Sequence, residues 1–186
     1  MYLDASERTT LLRLARFSLE HFVRTREKSI SAPSEIELTE RLREPAGVFV
    51  TLEEEDQLRG CIGYIEPIRP LYQAVMENSV SACSRDYRFL PVTPEELDRI
   101  KIEISVLTPK EEIAEPSGFH PGEEGIILEK EGKRAVFLPQ VAPEQGWDRE
   151  ETLRHLCMKA GLPPDAWREG TRFWIFRAEV FSEEER

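Results

Sequence analysis

Val48-Phe49-Val50-Thr51-Leu52, the acidic stretch Glu53 to Gln57, and Leu58-Arg59-Gly60-Cys61-Ile62-Gly63-Tyr64-Ile65 form the segment on which the fold reading turns. Both flanks are rich in β-branched and aromatic residues and the polar residues between them supply a turn, so an antiparallel hairpin is the economical reading. Side chains alternate along a strand, which puts Arg59 and Cys61 on one face. Gly60 and Gly63 weaken the second strand, and glycine there marks a bulge or the close approach of another backbone or a ligand. Neither glycine opens a helix, so this is no phosphate-cradling nucleotide loop.

Upstream of the hairpin, Leu11, Leu12, Ala15, Leu19, Phe22 and Val23 recur at three- and four-residue spacing, predicting an amphipathic helix that starts after Asp4 or Ser6. A shorter helix around Leu38 and Leu42 ends at Pro45 and Gly47. Downstream, Pro70 opens a helix over 71–84. Thr93-Pro94-Glu95-Glu96 is a capping box that starts another short one. Residues 100–107 alternate as a strand, with Ile100, Ile102, Ile104 and Val106 facing one way and Lys101, Glu103 and Ser105 the other.

A second hairpin is expected from Ile126 to Leu128 and Ala135 to Leu138 around Gly132, with 117–124 before it as a mobile loop. Asp148 caps a helix running to Ala160, Gly161 ends it, and 171–181 reads as one strand. Helices interspersed with hairpins, without strict strand–helix alternation, give an α+β fold: a mostly antiparallel sheet flanked by helices.

The 186 residues, 40% of them hydrophobic, can bury about two thirds to 70% of the unfolded surface, enough for one domain of two packed lobes over 1–186. Acidic residues outnumber basic ones by 36 to 25, and the net charge of -11 repels a phosphate backbone, so nucleic acid is a disfavoured partner. No run approaches the ~20 apolar residues of a membrane span, and no export signal is visible, which points to the cytoplasm. Three cysteines and three histidines at wide spacings fit neither a disulfide framework nor a zinc motif. Reduced thiols, and neither a metal nor another cofactor, are the expectation.

Cys61 between two glycines is the leading candidate for chemistry. An Arg59 guanidinium on the same face would favour thiolate over thiol and lower its pKa. The same pattern also suits a small buried cysteine between tight-packing glycines. His120 and His155 are candidate bases, but neither is fixed beside the cysteine by sequence. Arg85, Asp86 and Arg88 form either an anion site or a loop-fixing ion pair. Glu103, on the polar face of an apolar strand, meets solvent or takes part in a charged contact. Gln140 and Lys159 stand among apolar neighbours and can each bond backbone. The aromatic residues Trp147, Trp167, Phe173, Trp174 and Phe176 fall at core-compatible spacing.

Several separated segments together resemble the AMMECR domain family over nearly the whole chain: Phe49-Val50-Thr51-Leu52, Leu58 through Gly63, Asp86-Tyr87-Arg88-Phe89, Ile102 through Leu107, Leu138-Pro139-Gln140-Val141, Gly146-Trp147-Asp148 and Lys159-Ala160-Gly161-Leu162. Tyr87 stands where the family usually has proline. The resemblance implies an α+β fold with a larger and a smaller lobe meeting at a cleft. It maps the family's motif residues onto Arg59, Gly60, Cys61, Gly63, Arg88, Glu103, Gln140 and Lys159. Cys61 and Glu103 are then the candidate catalytic pair, and the others ligand contacts for a small anionic molecule. Prokaryotic relatives in the AmmeMemoRadiSam system accompany a Memo-type protein and a radical S-adenosylmethionine enzyme, which implies these as partners and leaves a non-catalytic adaptor as the alternative to an enzyme.

Overall fold

The computed structural model describes residues 3–28 and 30–183, and it divides the chain into two compact units, Met1–Leu107 with Glu179–Arg186, and Thr108–Ala178. In the first unit, helix α1 (Ala5–Thr25) begins where Asp4 and Glu7 form a reciprocal capping box and ends at Arg26 in the left-handed region, φ 64°. Its buried stripe is Leu11, Leu14, Ala15, Leu19, Phe22 and Val23. After the single turn α2 (Glu40–Arg43) come strands β1 (Val48–Glu54) and β2 (Gln57–Tyr64), then α3 (Leu71–Ala82). Pro70 precedes α3 as its cap residue rather than its first helical residue. Strand β3 is Ile100–Leu107, and the last strand, β8 (Ala178–Ser182), completes an antiparallel sheet in the order β2-β1-β3-β8.

One face of this sheet carries Val48, Val50, Leu52, Ile102 and Ile104, all without exposed surface, and α1 and α3 pack upon it. Gly60 is on that face. A Cβ there would sit 2.4 Å from the Ala82 carbonyl oxygen, so only glycine lets β2 approach the end of α3 this closely. Arg16, buried on α1, donates to the carbonyls of Leu97 (3.0 Å) and Ile100 (2.6 Å) and pairs with Glu183. These bonds tie helix, strand entry and C-terminal segment together.

The second unit is built on the antiparallel sheet β4-β7-β5-β6, comprising β4 (Glu111–Ile113), β5 (Gly125–Lys130), β6 (Lys133–Phe137) and β7 (Arg172–Phe176). Short α4 (Val141–Gln145) and α5 (Arg149–Lys159) complete it, with α5 capped by Asp148 and ended by Gly161 at φ 70°. Phe119, Ile126, Leu128, Leu153, Leu156, Cys157 and Phe173 form its core.

Two further sequence expectations need correction. The segment read as one strand over 171–181 is two strands in different sheets. At Arg177 the backbone N–H donates to Thr108 Oγ1 (2.9 Å) and the carbonyl accepts from Thr108 N (2.8 Å), which interrupts the ladder. The segment read as a mobile loop over 117–124 is pinned: Phe119 is 1% exposed, and buried Glu124 accepts the His120 N–H at 3.0 Å. Burying a phenylalanine contributes about 1.5–3 kcal/mol, enough to offset ordering of a residue or two.

Candidate functional site

Strand β2 is the edge of its sheet, and the register places Cys61 opposite Thr51, which is in turn opposite Glu103 on β3. Cys61, Thr51 and Glu103 therefore form one row across three strands, on the face turned away from α1 and α3. The Cys61 N–H points off the sheet edge and donates to Asp86 Oδ2 at 2.9 Å. Thr51 and Cys61 are thus a non-hydrogen-bonded pair, the arrangement that brings side chains closest. The Thr51 hydroxyl accordingly lies 3.4 Å from the Cys61 sulfur, and the thiol is partly exposed.

Asp86 is the hub of this edge. Only 5% exposed, it also accepts from Arg88 through Nε (2.9 Å), Nη2 (2.6 Å) and the backbone N–H (3.2 Å). These bonds hold its carboxyl far below the usual carboxylate range, chiefly through the Arg88 side chain. The loop-fixing ion pair is the reading of Arg85, Asp86 and Arg88 that the geometry favours. It also stations the Arg88 charge near the thiol.

Arg59 does something other than expected. Its Nε donates to Glu96 Oε1 at 2.7 Å and its Nη1 to the Leu90 carbonyl at 2.9 Å, so it staples the 89–96 loop to β2. Both guanidinium groups lie within cation–π reach of Phe89, Arg59 at 5.9 Å and Arg88 at 5.5 Å from its ring centre. With Arg59 neutralised, the expected lowering of the Cys61 pKa does not occur. Burial pushes the thiol up; the Thr51 hydroxyl and Arg88 pull it back, while Asp86 and Glu103 add to the rise. Glu103 is also raised, first by burial and then by neighbouring Glu53, against a downward pull from Lys101. Both groups thus hold their protons to higher pH than free side chains do.

Gly63 shares the Cys61 face, where the Phe49 ring covers it; a Cβ would meet that ring and the Val48 carbonyl oxygen at 2.4 Å. Gly60, on the opposite face, is a packing residue. Cys83 and Cys157 are buried, and burial drives Cys83 up to about 12. Among the described residues no three histidine, cysteine or carboxylate side chains cluster as a metal site would require.

Gln140 and Lys159 belong to the second unit. Gln140 is exposed at the start of α4 and makes no capping bond. Lys159 is exposed, but its Nζ donates to the Val136 carbonyl (2.9 Å) and sits 4.8 Å from the Phe137 ring centre, and desolvation there lowers its pKa. Beside it Trp147 stacks on His155, with ring centres 3.9 Å apart and planes within 3°, so His155 is engaged by an indole. The sequence assigns Thr51 no role, gives Glu96 a place in the capping box but not its pairing with Arg59, and leaves Asp86 undecided. Asp86 was findable from its spacing to Arg88, whereas Thr51 needed the strand register.

An α+β chain of two units, each with a four-stranded antiparallel sheet and the first with a cysteine on its edge strand, defines the class of protein. Comparison with known proteins makes it particular: the model of the family described as AMMECR1 matches residues 12–181. A protein of Methanothermobacter thermautotrophicus is 46% identical over 98% of this chain and 97% of its own length. One of Methanopyrus kandleri is 44% identical over 98% of this chain and 91% of its own. The crystal structure of an uncharacterised protein from Pyrococcus horikoshii superimposes with a TM-score of 0.86 at 41% identity, covering 98% of this chain and 93% of that one. The chain belongs to the AMMECR1 family. No described helix is long and apolar enough to cross a membrane.

Proposed function

We infer that the first unit carries a thiol-centred site for a small anionic ligand, with Cys61 as the reacting or anchoring group. The observation behind this reading is the Cys61–Thr51–Glu103 row, with Arg88 held beside it through Asp86. Two strand spacings put Cys61 and Glu103 about 10 Å apart at the backbone, a gap that a small ligand bridges. A carbonyl carbon over the sulfur would form the S–C bond as the thiol proton leaves for the carbonyl oxygen, with Glu103 as proton carrier. Arg88 keeps N–H groups beyond those Asp86 uses, and these suit a carboxylate or phosphate on the same molecule.

The test is alkylation of Cys61 by neutral iodoacetamide and anionic iodoacetate. Arg88→Gln should lower the iodoacetate-to-iodoacetamide rate ratio, and Glu103→Gln should speed both reagents near neutral pH, because the glutamate charge adds to the rise in the thiol pKa. A folded protein whose Cys61 reacts with neither reagent sinks this function.

A second reading, an adaptor for the Memo-type and radical S-adenosylmethionine proteins, draws on Tyr87 and Leu90, which flank Arg88 and are 96% and 83% exposed. Binding of the purified proteins, surviving Cys61→Ser but lost in Leu90→Lys, would favour it; no binding by the wild type would dismiss it.

A further inference from the structure

The second unit contains a cavity of about 760 Å³ that the thiol site does not use, within the size range of small-molecule pockets. Its walls come from the turn before Phe119, the first turns of α5, and the segment running into β7. Leu153 and Phe173, 1% and 2% exposed, close its floor, and Pro116 and Trp167 add apolar surface. The indole Nε1 of Trp167 is out of reach of water and has no acceptor among the described residues. A donor in that condition is costly unless something accepts from it.

Five charged residues line the same cavity, and their commitments differ. Arg168 donates to Glu150 at 2.8 Å and lies 4.3 Å over the Trp167 ring, so both members of that pair are occupied. Asp148 accepts the Glu151 N–H at 2.8 Å as the cap of α5. Among the described residues Glu115 takes only the Ser117 hydroxyl, at 3.3 Å, and is exposed. Arg149 gives its Nε to the Phe119 carbonyl at 2.8 Å, while its Nη1 and Nη2 groups have no acceptor among the described residues. That leaves the forked end of one guanidinium, the part shaped for a carboxylate or phosphate, as the open cation beside an aromatic floor.

We propose that this cavity is a second ligand site, separate from Cys61, for a small aromatic acid whose ring packs on Trp167, Leu153 and Phe173 and whose carboxylate or phosphate is held by Arg149. Glu115 opposes the anion, so it weakens binding. Benzoate and phenyl phosphate stand for the two sources of that chemistry, and 1-anilinonaphthalene-8-sulfonate is the fluorescent reporter.

The full chain carrying Trp147→Phe and Trp174→Phe keeps Trp167 as its only tryptophan, so a fluorescence change on titration places the probe at this cavity. Saturable one-to-one binding of the reporter is expected, displaced by benzoate or phenyl phosphate. Arg149→Gln should weaken it by about tenfold or more, the worth of a charged hydrogen bond, and Glu115→Gln should tighten it. Cys61→Ser should leave it unchanged, which separates this proposal from the thiol site. No saturable binding, binding indifferent to Arg149→Gln, or loss of binding in Glu115→Gln would each overturn the proposal.

Discussion

Replacing Asp86 with alanine is the perturbation that reads most of the first unit's site at once. The carboxylate is buried and accepts four hydrogen bonds, one from Cys61 N–H and three from Arg88. A charge-assisted hydrogen bond is worth about 1.5–3 kcal/mol, and a buried N–H left unpaired costs about 1–3 kcal/mol. The Arg88 side chain is 44% exposed and regains water once released, so the ion-pair share must be discounted. Together these give a loss of about 3 kcal/mol for Asp86→Ala.

Urea unfolding followed by far-ultraviolet circular dichroism measures this loss, because all three tryptophans lie in the second unit and report on it instead. The sign of the pH dependence follows from the lowered Asp86 pKa. A carboxylate whose folded pKa is depressed contributes its full stability above its unfolded value, near 3.9, and loses it as pH falls through the folded value. The gap between wild type and Asp86→Ala should therefore be constant from pH 5 to 8 and narrow only below about pH 4. Amide exchange at Cys61 should speed up in the variant. A stability loss under about 0.5 kcal/mol, with Cys61 exchange unchanged, would show that Asp86 does not organise this edge.

The wild-type rate of Cys61 alkylation should rise with an inflection above about pH 9, since burial raises the thiol pKa from its ordinary value; an inflection near 7 would mean the sulfur sits in a more positive field than Arg88 supplies against burial, Asp86 and Glu103. Gly60→Ala should destabilise the first unit by about 1–3 kcal/mol, because the added methyl meets a backbone carbonyl at 2.4 Å, and a neutral effect in urea would contradict that packing. Asp148→Ala should cost about 1 kcal/mol through loss of the α5 cap, read by tryptophan fluorescence in urea, where an unshifted midpoint would speak against the cap.

Most helices and strands were legible in the sequence because each rests on local chemistry. The Asp4 and Asp148 caps, the left-handed Gly161 and the alternation of Ile100 through Val106 act over a few residues and need no distant partner. Even the face of Cys61 followed from period-two alternation. Its neighbours did not. The hairpin turns at Glu55 and Asp56, both at positive φ, and a shift between Leu52 and Glu53 then sets the pairing. Without that extra residue Thr51 would oppose Gly60, on the helix side. The bulge puts Thr51 beside the thiol.

The sequence by itself determined the α+β composition, the family and the position of the one partly exposed cysteine, since these follow from residue order, hydrophobic period and motif spacing. Only the tertiary structure decided which charge serves that cysteine. Arg59, two residues away in the chain, is turned aside to Glu96 from beyond α3, while Arg88 is brought in by a buried carboxylate 25 residues from the sulfur. Charges act through space and are shared out by competing partners, and neither the distances nor the competition can be counted along a chain.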